Sequence, residues 1–183
     1  TSLISAFTDY TEEWKWSTQL AIWSTLVAIF IALAAIAVSW SSRKWSLCVF
    51  AVLLVALAVP GPVVNQMASF IFNREGELFE RLAMDTLVPC IFCLQFRLIP
   101  IVMVVLWPSL LLLRNRYDLQ WQVDFDGPIQ WLWRGLFPAL RTSLLMAFLI
   151  GIGIAFGELN TYLLVLPPGV TTLAMRIFDL LHY

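Results

Sequence analysis

The sequence predicts an all-α, polytopic membrane protein: a transmembrane helical bundle with at least four bilayer-spanning segments. Three observations predict it. Hydrophobic residues make up 61% of the chain and charged residues only 13%. Soluble domains run nearer about half apolar and a quarter charged, so a packed interior cannot absorb these side chains and lipid must act as a second solvent. The charges also fall in short clusters between long charge-free stretches, each near the roughly 20 residues that a helix needs to cross about 30 Å of hydrocarbon. Nine tryptophans suit the membrane–water interface, where an apolar ring with one N–H is at home.

The elements follow in chain order. Residues 1–15 are polar and acidic, with Asp9, Glu12 and Glu13. Residues 16–42 carry no charge and predict a first span over about 17–40, with its apolar heart at 20–38. Ala28, Ala32 and Ala35 recur at helical spacing and allow close helix approach. A basic turn, Ser41-Ser42-Arg43-Lys44, leads to a second span over about 46–72. Pro60-Gly61-Pro62 interrupts that span, and broken backbone in lipid is tolerated only against protein or a water-filled cavity. Residues 74–85 read as a charged loop.

The third span, about 86–113, carries one charge, Arg97, and three prolines, Pro89, Pro100 and Pro108. Its length predicts a tilt, a kink or an extension beyond the bilayer. Residues 114–141 form the most polar internal segment, read as two short helices with a bend at Asp126-Gly127-Pro128. The fourth span covers about 136–157, and Gly153-x-x-x-Gly157 is its expected close-packing face. Beyond Glu158, Pro167-Pro168-Gly169 cuts an apolar stretch into pieces too short to cross, so 158–183 reads as a broken re-entrant or surface segment. The whole of 1–183 is read as a single transmembrane domain.

Basic residues gather on the cytoplasmic side. Arg43 and Lys44 mark one turn, and Arg114, Arg116, Arg134 and Arg141 mark the segment 114–141, whereas the remaining polar segments are mainly acidic. This puts 114–141 inside and both ends outside.

Arg97 is the one charge that this reading buries in a span. Such a residue either faces a bundle interior or aqueous path, or snorkels to an interface. Gln95 adds polarity nearby. The segment 118–138 mixes Trp121, Phe125, Trp131 and Trp133 with charges, and is either an interfacial helix or a docking surface for a cytoplasmic partner. Cys48, Cys90 and Cys93 lie in apolar runs, where an odd count forms no disulfide framework. Cys90-x-x-Cys93 lacks the second pair of a metal site and reads as small apolar packing. No catalytic constellation stands out, and no G-x-x-x-x-G-K-[ST] phosphate loop occurs, so no ATP site of that kind lies in this chain. The net charge of −1 offers no basic face for nucleic acid.

Several stretches carry a resemblance. Ala58-Val59-Pro60-Gly61-Pro62-Val63-Val64 looks like an "Ala-x-Pro-Gly-x-Val" pattern, Arg97-Leu98-Ile99-Pro100 like "R-x-x-P", and Phe137-Pro138-Ala139-Leu140-Arg141 like the end of a coupling loop. Together they resemble the type I inner-membrane permeases of binding-protein-dependent ABC importers, over nearly the whole chain. The C-terminal run Gly157-Glu158-Leu159, Leu163-Leu164, Pro167-Pro168-Gly169, Thr172-Leu173, Arg176-Ile177-Phe178 and Leu180-Leu181-His182-Tyr183 is most like the second core of ferric-iron permeases.

The resemblance implies a translocation path past Pro60, Gly61, Gln95, Arg97, Pro100 and Glu158. It also implies ATPase docking through Trp121, Asp124, Phe125, Gly127 and Pro138. Where the family's coupling loop has Glu-Ala-Ala this chain has Leu119-Gln120-Trp121, and where the family has glycine it has Phe125. The implied partners are a cytoplasmic ABC ATPase dimer that binds the ATP, an extracytoplasmic substrate-binding protein and a second permease core, in a cell inner membrane. A fifth helix would follow Tyr183. No cofactor or metal is expected in this chain, and no enzymatic activity.

Two readings from different classes stay open at this point. One is a permease subunit of an ATP-driven importer, with ferric iron as the implied cargo. The other is a membrane scaffold or assembly protein that recruits a cytoplasmic partner through 114–141. Polar groups and broken helices at depth (Arg97, Pro60-Gly61-Pro62 and Pro167-Pro168-Gly169) suit a transport path better.

Overall fold

The structure, a computed structural model, describes residues 10–39, 43–72, 77–117, 130, 134–135 and 137–182. Among these, every regular element is helical. Helix α1 (Thr11–Ser39) opens with Glu12 and Glu13 in its first turn, where negative charge suits the positive end of the helix dipole. Next come α2 (Arg43–Ala58) and α3 (Gly61–Phe72), parted by Val59 and Pro60 and bent by 94°. Helix α4 (Glu77–Asp85) is short, and α5 (Val88–Tyr117) is the longest, at about 45 Å for an ordinary α-helical rise. Helix α6 (Phe137–Gly157) is followed by a 3-10 turn (Leu163–Val165) and α7 (Leu173–His182).

Helices α1, α5 and α6 pack on one another pairwise and form the centre of the bundle. Leu20, Leu94, Leu98, Met103, Leu106 and Leu140 meet there, fully buried. Ala28 and Ala32 are fully buried as well, which is the close approach their spacing predicts. Helix α2 lies against α5 and α1, while α3 lies against the 3-10 turn and α5.

Among the described residues, three helical stretches are long and apolar enough to cross a membrane: Thr11–Ile36, Val88–Leu113 and Phe137–Gly157. The bent pair α2–α3 makes a fourth crossing only if its two halves count as one. Large apolar side chains point outward around the bundle, among them Phe30, Val55, Phe70, Leu112 and Leu149. A multi-pass helical membrane bundle is the arrangement that covers such a surface with lipid.

Two expectations are corrected, the loop at 74–85 and the glycine seam of α6, and two others are filled in. The interruption at Pro60-Gly61-Pro62, read from the sequence as a point where the span kinks or unwinds, is a bend of 94° that parts α2 and α3 into half-helices. Proline removes a helix donor and crowds the preceding turn, and here two prolines flank a glycine. Residues 77–85 are helical rather than a loop, with Phe79 and Leu82 three apart on one face, and Thr86 Oγ1 donates to the Leu82 carbonyl at 2.7 Å. The close-packing glycine of α6 is Gly151: a Cβ there would stand 2.6 Å from Thr25 Cγ2. At Gly153 and Gly157 a Cβ would meet nothing within 4 Å among the described residues, so that pair does not form the seam. Finally, Pro100 and Pro108 sit inside α5 without ending it.

Candidate functional site

The break between α2 and α3 positions the site. Val59 N–H donates back to the Ala56 carbonyl at 3.2 Å, closing α2. The Pro60 carbonyl then accepts from Val63 N–H at 3.0 Å and Val64 N–H at 3.3 Å, opening α3. Pro62 suits this first turn, where its missing N–H is no loss. Helix α3 thus begins beside the bundle, with the positive end of its dipole at Gly61.

Four residues from three parts of the chain meet there. A Cβ added at Gly61 would lie 3.1 Å from Thr161 Oγ1, 3.4 Å from Glu158 Oε1 and 3.5 Å from an Arg97 Nη. Glycine allows this approach because it has no Cβ. Arg97 projects from α5 and its Nε lies 3.9 Å from Glu158 Oε2, just after the end of α6. The Thr161 hydroxyl donates to Glu158 Oε1. The Arg97 side chain is 34% exposed and that of Glu158 16%, so the pair is partly shielded. The Arg97 Nε itself is buried and has no hydrogen-bond partner among the described residues.

Neighbouring contacts hold the 158–172 segment across one end of the bundle. Asn65 Oδ1, one turn along α3 from Gly61, accepts from Leu164 N–H at 3.0 Å. Cys90 Sγ donates to the Val165 carbonyl at 3.5 Å. Tyr162 is 1% exposed, and its hydroxyl donates to Thr172 Oγ1 at 3.4 Å. Burial pushes the Tyr162 phenol up to about 12. Ser17 Oγ of α1 accepts from Leu173 N–H at 2.7 Å, which docks α7.

Of the residues expected on the path, the structure brings Gly61, Arg97 and Glu158 together, with Pro60 at the break. Pro100 is buried in α5, one turn from Arg97 on the same side of the helix. Gln95 is placed elsewhere: its Nε2 donates to the Ser24 carbonyl of α1 at 3.2 Å and to the Ile91 carbonyl at 2.9 Å. Two positions along a helix turn a side chain about 200°, so Gln95 belongs to the α1–α5 seam while Arg97 faces the break. Arg97 lies twelve residues, about 18 Å, from the Ser109–Ser143 hydroxyl contact between α5 and α6. The site is therefore toward the end of the bundle where 158–172 lies.

Pro138 is exposed in the first turn of α6. Trp121, Asp124, Phe125 and Gly127 lie outside the described residues. Cys90 and Cys93 are both fully buried on α5 and pack into the core. Among the described residues no group of three or more His, Cys, Asp or Glu side chains is arranged to hold a metal.

Sequence reasoning missed Thr161 and Asn65. Asn65 is a polar residue four after Gly61 in a mainly apolar half-helix, and Thr161 is three after Glu158, so both had a positional signal. No protein-family model matches this chain, and no curated protein matches it.

Proposed function

We propose that the chain is a membrane-spanning permease subunit of an ATP-driven importer, passing substrate along a path beside Arg97, Gly61 and Glu158. The observation that carries the reading is the Arg97–Glu158 pair at the open end of a broken helix. Two opposite charges among apolar helices cost desolvation energy that lipid does not return, and such groups mark ion or substrate pathways. Half-helices that begin inside a bundle present a dipole end to a passing solute. In this reading a separate ATPase binds ATP and presses on 114–138. An extracytoplasmic binding protein delivers the cargo, and a second permease core completes the path. The resemblance to the ferric-iron branch makes ferric iron the first cargo to test.

The test is purification of the tagged chain from its native membranes in mild detergent. An ATPase with vanadate-sensitive activity should co-purify, and Arg97→Leu should leave insertion intact while uptake of the cargo falls at least about tenfold. A chain that recovers no ATPase, or an Arg97→Leu variant with normal uptake, overturns the proposal and favours the scaffold reading.

A further inference from the structure

We infer that the Arg97–Gly61–Thr161 cradle is a binding station for a small oxyanion, and that the Glu158 carboxylate occupies it as a built-in surrogate. The inference rests on the permease reading for its purpose but not for its geometry.

Two donors face the Glu158 carboxylate, the Arg97 guanidinium and the Thr161 hydroxyl, and Gly61 at the start of α3 leaves the space beside them. A guanidinium fork and a hydroxyl are donors that match a planar or tetrahedral oxyanion. Glu158 fits the cradle incompletely. Its Oε2 is 3.9 Å from Arg97 Nε, beyond hydrogen-bond distance, and that buried Nε has no other hydrogen-bond partner among the described residues. A buried guanidinium N–H without an acceptor is a donor waiting for an oxygen. Glu158 is also the residue immediately after α6, on a chain that turns rather than one locked in a helix. An incoming carboxylate or phosphate can therefore take Arg97 while Glu158 swings aside. The cargo this implies is anionic at the contacting end, whether the oxyanion travels alone or as the counter-anion of a metal ion.

The test uses the full chain, purified in a neutral detergent, with inorganic phosphate and acetate as probes and thermal unfolding as readout. Glu158→Gln removes the surrogate charge while keeping its shape and the contact with Thr161. Phosphate should raise the unfolding midpoint of Glu158→Gln by about 3 °C or more, in a saturable way, and that of the wild type much less. In Arg97→Gln with Glu158→Gln the shift should vanish. An equal shift in all three proteins, or none in Glu158→Gln, overturns the inference. Glu158→Ala serves as a second variant, with acetate restoring the missing carboxylate. In nanodiscs of phosphatidylcholine with and without phosphatidylglycerol, a rise caused by the anionic lipid but not by phosphate would assign the cradle to a headgroup and overturn the soluble-anion assignment. None of these readouts needs an ATPase, so failure here leaves the permease reading to its own test.

Discussion

Replacing Gly151 by alanine should loosen the crossing of α1 and α6, and the size of the effect follows from the structure. The added Cβ would lie 2.6 Å from Thr25 Cγ2 and 3.1 Å from Thr25 Oγ1. Thr25 is fully buried and β-branched, so it has few rotamers into which it can retreat. Forcing one methyl into such packing costs about 1–3 kcal/mol. Glycine to alanine within a helix also returns up to about 1 kcal/mol of propensity. Gly153→Ala shares that return without the clash, since no described residue lies within 4 Å of its Cβ position. The two variants should therefore differ by about 1–3 kcal/mol, with Gly151→Ala the less stable. Unfolding by SDS titration in mixed micelles measures the difference. Thr25→Ser removes Cγ2 and should recover most of it in the Gly151→Ala background. Equal stabilities for Gly151→Ala and Gly153→Ala would refute the reasoning and return the seam to Gly153-x-x-x-Gly157.

Two further outcomes are open to direct measurement. Trp121→Ala with Phe125→Ala should abolish ATPase co-purification without lowering membrane insertion, because aromatic anchors of this size cost about 2 kcal/mol or more when truncated at an interface; ATPase recovery at wild-type yield would make the two residues lipid anchors. The second concerns Tyr162, whose phenol is held at about 12 in the folded protein against an ordinary 10.0. The folded state keeps a proton that the unfolded chain gives up, so the stability this residue contributes is complete below pH 10 and is lost as pH rises towards 12. Unfolding across that range should be shallower in pH for Tyr162→Phe, and an unchanged slope would contradict the burial argument.

Much of the helical organisation was legible in the sequence because lipid imposes a length rule that charge-free stretches reveal. Residues 16–39 of the first charge-free stretch lie in α1, and the stretch holding Arg97 lies in α5. Pro60-Gly61-Pro62 announced a break, but its angle depends on what α3 packs against, and that partner, the segment around Thr161 and Leu164, is about a hundred residues away. Gly153-x-x-x-Gly157 misled because a small-residue pattern says which faces can pack closely, not which face meets a neighbour. Gly151 belongs to a second small-residue series, Ala147-x-x-x-Gly151-x-x-x-Ala155, whose members are all buried, so the sequence offered two faces and only Thr25 opposite Gly151 tells them apart. Arg97 signalled itself by its charge in an apolar span. Its pairing with Glu158, 61 positions along the chain, needed the bundle. Gln95 shows the converse: polarity two residues from Arg97 suggested one site, whereas helical periodicity sends the two side chains to different neighbours.

The proposed permease function requires Arg97 and Glu158 to stand on a water-accessible path whose opening follows the nucleotide cycle of a partner ATPase. Cysteine placed at Glu158, in a background of Cys48→Ser, Cys90→Ala and Cys93→Ala, reports on it most directly. Its reaction rate with a charged, membrane-impermeant thiol reagent is measured in native membranes, without nucleotide and with ATP plus vanadate. Reaction is expected in one state, with a rate at least about tenfold slower in the other, a difference of about 1.4 kcal/mol in accessibility. A cysteine that is unreactive in both states, or equally reactive in both, would contradict it.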